Sequence, residues 1–232
     1  KEKKFHNMTT TAVCIINYNT CDLLRECLRS AMIQNADEIV VVDNASNDNT
    51  PELVERDFPE VVVLRQEQNE GFAGGNNVGI RWCLEHACDA VLLLNNDTLV
   101  PSDFLVALEE HARNGYITAP EIRDAISPNA VQDQLGWFDW RRGVATPLPH
   151  PPAAHPVLPP RAASGCCLLV PREVFEDIGM LDESYFLYYE DIDFVMRAQL
   201  AGFELVREPR SVVYHFGSAS AGPAGLSPLM VY

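Results

Sequence analysis

The sequence is poor in positive charge and has no long apolar run. Lysine and arginine total 17 among 232 residues, against 33 aspartates and glutamates, which gives a formal net charge of -16. A chain of this charge repels polyanions, which argues against nucleic acid as a partner. No window approaches the roughly 20 apolar residues that a membrane-spanning helix requires. We therefore expect a soluble protein of the cytoplasm.

Cysteine pairs of the zinc-binding kind are also missing. The seven cysteines form no CxxC pair and lie mostly inside apolar runs. This pattern is typical of buried free thiols in a reducing compartment.

Two glycine-rich phosphate-binding motifs are absent as well. A dinucleotide fold would place GxGxxG directly after the first strand, but residues 17–21 read Asn-Tyr-Asn-Thr-Cys. No segment matches GxxxxGK followed by Ser or Thr, the P-loop pattern. The one glycine-dense patch, residues 71–79, follows the third predicted strand and could bring backbone N–H groups close to a ligand.

The first hundred residues alternate between strand-like and helix-like patterns. Short apolar runs predict strands over residues 12–17, 38–43, 61–64 and 90–95. Thr20 is the predicted cap of the first intervening helix, Thr50 and Pro51 open the second, and residues 73–86 form the third. Continuous apolar strands separated by helices indicate a parallel sheet that is covered on both faces.

Polar side chains stand at the ends of three of these strands. Asn17 ends the first, Asp43 ends the second, and Asn95, Asn96 and Asp97 follow the fourth. Ligands of parallel sheets bind beyond the carboxyl ends of the strands. A single aspartate there would be an ordinary turn former, but three polar ends on one edge predict a binding site.

The second half is less regular than the first. We predict a helix over residues 101–114, strands over 165–170, 203–207 and 212–215, a short helix opened by Pro171, and a helix that follows the aromatic run 185–189. Seven of the 16 prolines fall in residues 147–160, which predicts an extended surface loop or flap. Glu190, Asp191 and His215 join Asp97 as candidate ligands, a set that suits Mg²⁺ or Mn²⁺ better than zinc.

Six motifs in a fixed order resemble the family 2 glycosyltransferases of GT-A fold, especially the rhamnosyltransferase-like branch. They are Asn17-Tyr-Asn19, Val-Val-Asp-Asn-Ala-Ser-Asn-Asp48, Asn69-Glu-Gly-Phe-Ala-Gly-Gly-Asn-Asn77, Leu-Leu-Asn-Asn-Asp97, Tyr-Glu-Asp-Ile-Asp193 and Val-Tyr-His215. The resemblance implies an α/β fold in which a Rossmann-like nucleotide-binding half with a mostly parallel central sheet merges with a smaller acceptor-binding half.

The same resemblance implies a division of the chain. Residues 1–10 would be an N-terminal extension and residues 221–232 a C-terminal tail. A single domain would occupy residues 11–220, with the nucleotide-sugar half in 11–100 and the acceptor and catalytic half in 101–220. The proline-rich loop would lie at 146–160, inside the second half.

Roles for individual residues also follow from the resemblance. Asp97 and His215 match metal ligands, Asp191 matches the catalytic base, and Glu190 would orient the base or the acceptor. The expected nucleotide-binding residues are Asn17, Tyr18, Asn19, Asp43, Asn69, Gly71, Asn76 and Asn96. The expected acceptor-binding residues are Trp137, Trp140 and Tyr189. The chain departs from the family's commonest pattern at Asn95, where many members carry aspartate.

The implied reaction is transfer of a sugar, with inversion, from a nucleotide diphosphate donor to an acceptor hydroxyl, using Mg²⁺ or Mn²⁺. A dTDP-deoxysugar such as dTDP-rhamnose is the favoured donor, with UDP- and GDP-sugars as other options. The acceptor would be a glycan, a lipid-linked saccharide or another cell-surface or secondary-metabolite precursor. A lipid-linked acceptor would bring the protein to the inner face of the cell membrane. A nucleotidyltransferase and a non-catalytic nucleotide-sugar or carbohydrate-binding protein stay open as alternatives.

Overall fold

The computed structural model describes residues 10–133, 136–139, 144–147 and 161–217. The strands in this part are β1 Thr11–Asn17, β2 Glu38–Asp43, β3 Val62–Arg65, β4 Ala90–Asn95, β5 Thr98–Leu99, β6 Ile117–Asp124, β7 Val131–Asp133, β8 Gly136–Asp139, β9 Val144–Pro147, β10 Arg161–Ala162, β11 Cys167–Pro171 and β12 Leu205–His215. The α-helices are α1 Cys21–Ala31, α2 Thr50–Asp57, α3 Gly71–Glu85, α4 Phe104–Ala112, α5 Arg172–Ile178 and α6 Glu190–Leu200, and a 3₁₀ turn spans Met32–Gln34.

The first four strands form the predicted parallel sheet. They lie in the order β3-β2-β1-β4, and each neighbouring pair is parallel. Asn17 is in register with Asp43, and Ile16 is in register with Asn95. The polar ends of β1, β2 and β4 therefore share one edge, as the sequence predicts.

The second half extends this sheet with mixed strand directions. β11 runs antiparallel to β4, β6 lies beyond β11, and β12 runs parallel to β6. β5 pairs with β12 at the far end of this order, although only Asn96 and Asp97 separate β5 from β4 in the chain. β4 lies in the middle of this strand order and β5 at its end, yet two residues join them. The sheet must therefore curl so that its last strands come close to the end of β4.

Strand alternation divides the core into two layers. Ile15, Val41 and Leu92 face one side of the sheet, where α1, α2 and α4 pack. Their immediate neighbours in the chain face the other side, where α3, α5 and α6 pack. Because both faces are buried, the strands carry continuous apolar runs rather than alternating ones.

The helix starts differ from the predictions in their capping. Thr20 does precede α1, but its hydroxyl donates to Asn17 Oδ1 at 2.8 Å instead of capping the helix. The backbone N–H of Cys21 is taken up by the Asp48 carboxylate at 3.1 Å. Thr50 is the first residue inside α2, and its N–H also donates to Asp48, at 3.1 Å. Asp48 thus accepts a hydrogen bond from the first residue of each helix, because the loop after β2 folds against the start of α1.

Two features of the second half differ from the sequence prediction. Residues 203–207 and 212–215 belong to one strand, β12, which is interrupted only by a register shift between Glu208 and Val212. The first two residues of the expected loop 146–160 belong to β9. The rest of that loop, the expected tail 221–232 and all but the last residue of the expected extension 1–10 lie outside the described residues.

All seven cysteines are free, and six of them are buried. Within the described ranges, no helix combines the length and apolar character needed to cross a bilayer.

The strand that leads to the predicted site depends on its buried leucines. Leu92 in β4 is 1% exposed, so Leu92→Ala leaves a cavity and is expected to lower the free energy of unfolding by about 2–5 kcal/mol. Leu200 at the end of α6 is 86% exposed, and Leu200→Ala serves as the matched control, with an expected change within about 0.5 kcal/mol. Urea unfolding of both variants tests the assignment of β4 to the core, and equal losses would contradict it.

Candidate active site

Asn17 lies at the centre of a hydrogen-bonded framework at the end of β1. Its Oδ1 accepts from Thr20 Oγ1 at 2.8 Å and from Asn96 Nδ2 at 2.6 Å, while its Nδ2 donates to Thr50 Oγ1 at 3.1 Å and to Ser46 Oγ at 3.4 Å. Both Asn17 and Asn96 are buried. Because the amide of Asn17 is fully used inside the protein, it holds the ends of β1 and β4 at a fixed separation.

Beside this framework, side chains of the loops after β1 and β2 accept hydrogen bonds from backbone N–H groups. Ser46 Oγ accepts from the Asn19 N–H at 3.0 Å, and the Asn19 Oδ1 accepts from the Asn47 N–H at 2.7 Å. Asn19 adopts a left-handed φ of 54°, which asparagine tolerates better than most residues. Tyr18, between Asn17 and Asn19 in the chain, is half-buried. These contacts give the loop a defined shape next to Asp43.

The glycine-dense segment opens α3 through a second asparagine network. Asn44 Nδ2 donates to Asn69 Oδ1 at 2.7 Å and to the Gly71 carbonyl at 3.0 Å, and Asn69 Oδ1 also accepts the Gly71 N–H at 2.9 Å. Asn76 Nδ2 donates to the Phe72 carbonyl at 2.9 Å. Asn69 and Asn76 therefore shape the loop, and Gly71, with a φ of 73°, takes a conformation that glycine adopts readily.

Asp97 and His215 are 118 residues apart in the sequence. They lie close together because β5, which follows Asp97, pairs with the end of β12. His215 Nε2 lies 3.2 Å from Asp97 Oδ1. The geometry is not that of a hydrogen bond, and Asp97 Oδ1 is buried without a hydrogen-bond partner among the described residues. No group of three His, Cys, Asp or Glu side chains in that same part of the chain could hold a metal by itself. Among the described residues, Asp97 Oδ1 and His215 Nε2 are two electron-pair donors that lie side by side.

The first turn of α6 brings two carboxylates to the same edge. Asp191 Oδ2 accepts the Gly165 N–H at 2.8 Å, and its Oδ1 accepts the Ile192 N–H at 2.7 Å. Gly165 precedes β11, and the Cys166 carbonyl next to it accepts the N–H of Asn95 at 2.9 Å. The carboxylate of Asp191 is therefore tied, through two residues of backbone, to the end of β4.

Burial changes the acidity of both carboxyl groups. Burial, with a smaller contribution from the Asp191 charge, raises the pKa of Glu190 to about 8. Burial also raises the pKa of Asp191 above its ordinary value, although the N–H groups of Gly165 and Ile192 act in the opposite direction. At neutral pH Glu190 is consequently protonated in most molecules and adds no second negative charge beside Asp191.

The aromatic segment before α6 is held in an unusual backbone conformation. Tyr188 and Tyr189 have φ angles of 71° and 72°, a left-handed region that costs bulky residues about 1–3 kcal/mol each. The segment is fastened to the start of α3, where the Phe72 N–H donates to the Phe186 carbonyl at 2.7 Å. A methyl group at Gly71 would overlap that same carbonyl oxygen. The glycine loop thus fixes the strained residues that lead into Glu190.

Four buried side-chain oxygens at this edge have no hydrogen-bond partner in the part of the chain that the structure describes. They are Asp43 Oδ1, Asn95 Oδ1, Asp97 Oδ1 and Glu190 Oε2. Buried polar atoms are rarely left unpaired, and each one calls for a water, an ion or a ligand. Their concentration at the shared strand ends marks this edge as the candidate site.

Two of the three expected acceptor residues, Trp137 and Tyr189, lie at a separate three-stranded sheet, β10-β8-β9. Trp137 in β8 is half-buried, with the Arg161 guanidinium 5.8 Å from its ring centre. Tyr189 packs against the cluster of Phe138, Ala162 and Met196. Trp140 lies outside the described residues. Tyr189 consequently links the small sheet to the first turn of α6.

Sequence reasoning missed two residues that contact the site, Gly165 through its backbone N–H and Gln132 through its side-chain amide. Gly165 was predicted only as the start of a strand, yet a methyl group there would lie 3.0 Å from the Asp191 Cβ. Gln132 in β7, which contacts His215 at 2.9 Å, stands in a segment without a pattern of its own. Only the long-range pairing of strands reveals either contact.

The fold is that of the GT-A glycosyltransferases. GalNAc-T7, solved with UDP, GalNAc and Mn²⁺, is similar with a TM-score of 0.72 over 89% of this chain and 43% of its own, at 20% identity. The mannosyltransferase PcManGT from Pyrobaculum calidifontis, solved with GDP-Man and Mn²⁺, is similar with a TM-score of 0.63 over 88% of this chain and 56% of its own, at 22% identity.

The chain belongs to glycosyl transferase family 2, whose model matches residues 12–179. A low-salt glycan biosynthesis hexosyltransferase of Haloferax volcanii is 32% identical over 193 residues, which cover 81% of this chain and 61% of the relative. The N-acetylglucosaminyl-diphospho-decaprenol L-rhamnosyltransferase of Mycobacterium tuberculosis is 31% identical over 210 residues, which cover 79% of this chain and 68% of the relative.

A third relative is the dTDP-rhamnosyl transferase of Shigella flexneri, 25% identical over 171 residues that cover 68% of this chain and 53% of the relative. The resemblance to the rhamnosyltransferase-like branch is thereby confirmed. The chain spans 53% to 68% of the length of these three relatives.

The raised pKa of Glu190 predicts a pH-dependent stability. Between its ordinary pKa of 4.5 and about 8, the folded state binds a proton that the unfolded state releases, so the free energy of unfolding falls as pH rises through this window. Glu190→Gln removes this loss and is expected to gain stability relative to the wild type between pH 5 and pH 9, on the order of a few kcal/mol.

Urea unfolding at a series of pH values measures the effect. Glu60→Gln, at an exposed glutamate before β3, is the matched control and should follow the wild type. Parallel pH profiles for wild type and Glu190→Gln would show that Glu190 ionises as it does in water.

Proposed function

We propose that this chain transfers a sugar, with inversion, from a nucleotide diphosphate donor to an acceptor hydroxyl with the help of a divalent cation. The observation that carries the proposal is the set of four unpaired buried oxygens at the shared edge. Asp43 lies on the β2 side of this edge, Asp97 lies beyond β4, and Glu190 lies at the start of α6. The three positions correspond to a nucleobase, a diphosphate with its ion, and an acceptor.

Asp43 is the proposed reader of the base. Its Oδ2 accepts the Ser46 N–H at 3.3 Å, which leaves the buried Oδ1 without a partner. A carboxylate oxygen in this state favours a ligand that donates a hydrogen bond, such as the N3–H of uracil or thymine. Asn17 and Asn96 act as framework in this account, while Tyr18 and Asn19 form the wall beside the nucleoside.

Asp97 and His215 are the proposed ligands of Mg²⁺ or Mn²⁺. An unpaired carboxylate oxygen beside an imidazole nitrogen fits such an ion, although two protein donors fill only part of its coordination shell. Diphosphate oxygens and water would supply the rest, so binding is expected to be weak without the donor, the more so because Asn95 replaces a charge. When bound, the ion offsets the negative charge that develops on the departing nucleoside diphosphate.

Asp191 is the proposed general base. Inversion requires the acceptor oxygen to attack the anomeric carbon opposite the leaving group, and a base on that side must take up the hydroxyl proton. The new carbon–oxygen bond forms as the bond to the diphosphate breaks. The N–H groups of Gly165 and Ile192 orient the Asp191 carboxylate, and its raised pKa makes it a stronger base than an exposed aspartate. Protonated Glu190 beside it can donate a hydrogen bond without adding charge.

The relatives support a choice of donor and acceptor. The proteins of Mycobacterium tuberculosis and Shigella flexneri are both named as rhamnosyl transferases, and the second name specifies dTDP-rhamnose. We therefore favour dTDP-rhamnose, or a related dTDP- or UDP-sugar, as the donor. The mycobacterial name also specifies a diphospho-decaprenol acceptor, which supports a lipid-linked saccharide and work at the inner face of the cell membrane. Trp137 and Tyr189 are the proposed acceptor contacts.

Asp191→Asn tests the base. The variant keeps the shape of the side chain but cannot accept the proton, so kcat is expected to fall about 10²- to 10⁴-fold, while the Kd of dTDP-rhamnose stays within about threefold of the wild type. Asp193→Asn is the matched control, because Asp193 lies in the same helix and pairs with Arg197 at 2.7 Å.

Turnover is measured with dTDP-rhamnose and a panel of lipid-diphosphate acceptors, and donor affinity by calorimetry. Normal turnover in Asp191→Asn would refute the assignment. Donor binding without turnover by the wild type over the whole panel would favour a non-catalytic binding protein.

Calorimetry of dTDP- and UDP-sugars with and without Mn²⁺ tests the ion site. Because the described residues bring two metal-binding side chains together here, tight binding of the sugar donor is expected to require Mn²⁺, and Asp97→Asn is expected to remove most of the Mn²⁺-dependent gain. Asp103→Asn, at an exposed aspartate before α4, is the control. Equal donor affinity in Mn²⁺ and in a chelator would argue against an ion at Asp97.

A further inference from the structure

Gln132 in β7 connects the hairpin after β6 to the end of β12. Its Nε2 lies 2.8 Å from Asp124 Oδ2 and 3.1 Å from the His215 carbonyl oxygen, and its Oε1 lies 2.9 Å from His215 Nδ1. Gln132 is exposed on its outer side. One amide thus contacts both the backbone and the ring of His215.

These contacts determine which end of the amide faces the ring. A carboxylate oxygen and a carbonyl oxygen can only accept, so the group that faces Asp124 and the His215 carbonyl must be the NH₂ of Gln132. Its oxygen then faces His215 Nδ1, which must donate. A neutral imidazole carries one N–H, so a proton on Nδ1 leaves the lone pair on Nε2.

The Nε2 nitrogen of His215 lies beside the Asp97 carboxylate. Nε2 and Asp97 Oδ1 lie 3.2 Å apart, and neither hydrogen-bonds the other. Two electron-pair donors at this distance are suited to share a cation. An imidazole whose other nitrogen donates to a fixed acceptor is the usual arrangement for a metal-binding histidine.

We propose that Gln132 is a positioning residue that holds His215 in the tautomer needed to bind the cation. The inference rests on the ion site proposed at Asp97 and His215. The hairpin holds the partner of Gln132 in place, because Asp124 Oδ1 accepts the N–H groups of Ile126 at 2.8 Å and of Ser127 at 2.6 Å. Asp124 therefore anchors Gln132, and Gln132 orients the ring.

Gln132→Leu removes the acceptor and keeps the approximate shape of the side chain. We expect the Mn²⁺ affinity of the dTDP complex, measured by electron paramagnetic resonance, to fall about 10- to 100-fold. Val131→Ala is the control on the same strand, because Val131 is 47% exposed, and it should bind Mn²⁺ as the wild type does.

The tautomer itself is read from long-range ¹H–¹⁵N spectra of the metal-free protein at pH 8, with His215→Asn used to assign the signal. The wild type should show His215 protonated at Nδ1, and Gln132→Leu should show a proton at Nε2 in a substantial fraction of molecules. A purely structural role for the hairpin would leave the tautomer unchanged.

A double variant keeps the inference testable if Gln132→Leu disturbs folding. Gln132→Glu combined with Asp124→Asn exchanges the amide and the carboxylate between the two positions. Residue 132 then still accepts from Nδ1 and residue 124 donates to residue 132, while the bond from residue 132 to the His215 carbonyl is lost. This variant should retain the Nδ1–H tautomer and bind Mn²⁺ within about fivefold of the wild type, a change smaller than the loss of the contact would cause.

Three results would overturn the role of Gln132. They are a wild-type His215 protonated at Nε2, wild-type Mn²⁺ affinity in Gln132→Leu, and loss of the tautomer in a folded double variant. A different failure concerns the proposed function. If the wild type binds no Mn²⁺ with either dTDP or UDP, the ion site is wrong, while the spectra still decide whether Gln132 sets the tautomer.

Discussion

The antiparallel ladder between β4 and β11 is the contact on which the rest of the site depends. It pairs Leu94 with Cys167, and the hydrogen bond from the Asn95 N–H to the Cys166 carbonyl at 2.9 Å extends it by one step. This step brings Gly165 next to the end of β4. Because the Gly165 N–H donates to Asp191 at 2.8 Å, the ladder places the proposed base beside the edge that carries Asp97.

Other contacts hold the second half against the first at the same place. Asn77 in α3 donates to the Leu181 carbonyl at 2.9 Å and accepts the Leu181 N–H at 3.0 Å. The Phe72 N–H holds the Phe186 carbonyl. Together these bonds restrain the segment that contains Tyr188 and Tyr189 in their left-handed conformations. Strained backbone of this kind persists only where surrounding contacts hold it in place. Here the strained residues set the direction in which the first turn of α6 begins.

The first half of the fold could be predicted from sequence because its signals are local. β4 begins and ends where the apolar run of residues 90–95 does, and the rule that parallel strands bind ligands at their carboxyl ends brought Asn17, Asp43 and Asn95 to one edge. Helix capping was less predictable, because Thr20 turns toward Asn17 once β1 and β4 are adjacent. The tertiary hydrogen bond to Asn17 replaces the capping bond that the local sequence favours.

The second half depends on pairings between distant parts of the chain. The short strand β5 has no pattern of its own and is defined by its pairing with β12. The apolar runs predict two strands, over residues 203–207 and 212–215, but the chain resumes the same strand after a register shift. Gly165 and Gln132 contribute through a backbone N–H and an amide. Residue type and spacing contain little information about such contacts, and the resemblance to a known family does not reach them.

Asp97 and His215 are proposed to hold the cation of the donor complex, across from Asp191. Anomalous diffraction from a crystal grown with dTDP and Mn²⁺ tests it most directly. We expect one strong Mn²⁺ peak within bonding distance of Asp97 Oδ1 and His215 Nε2, in contact with the diphosphate. A dTDP-bound crystal whose Mn²⁺ lies away from both side chains would contradict the account.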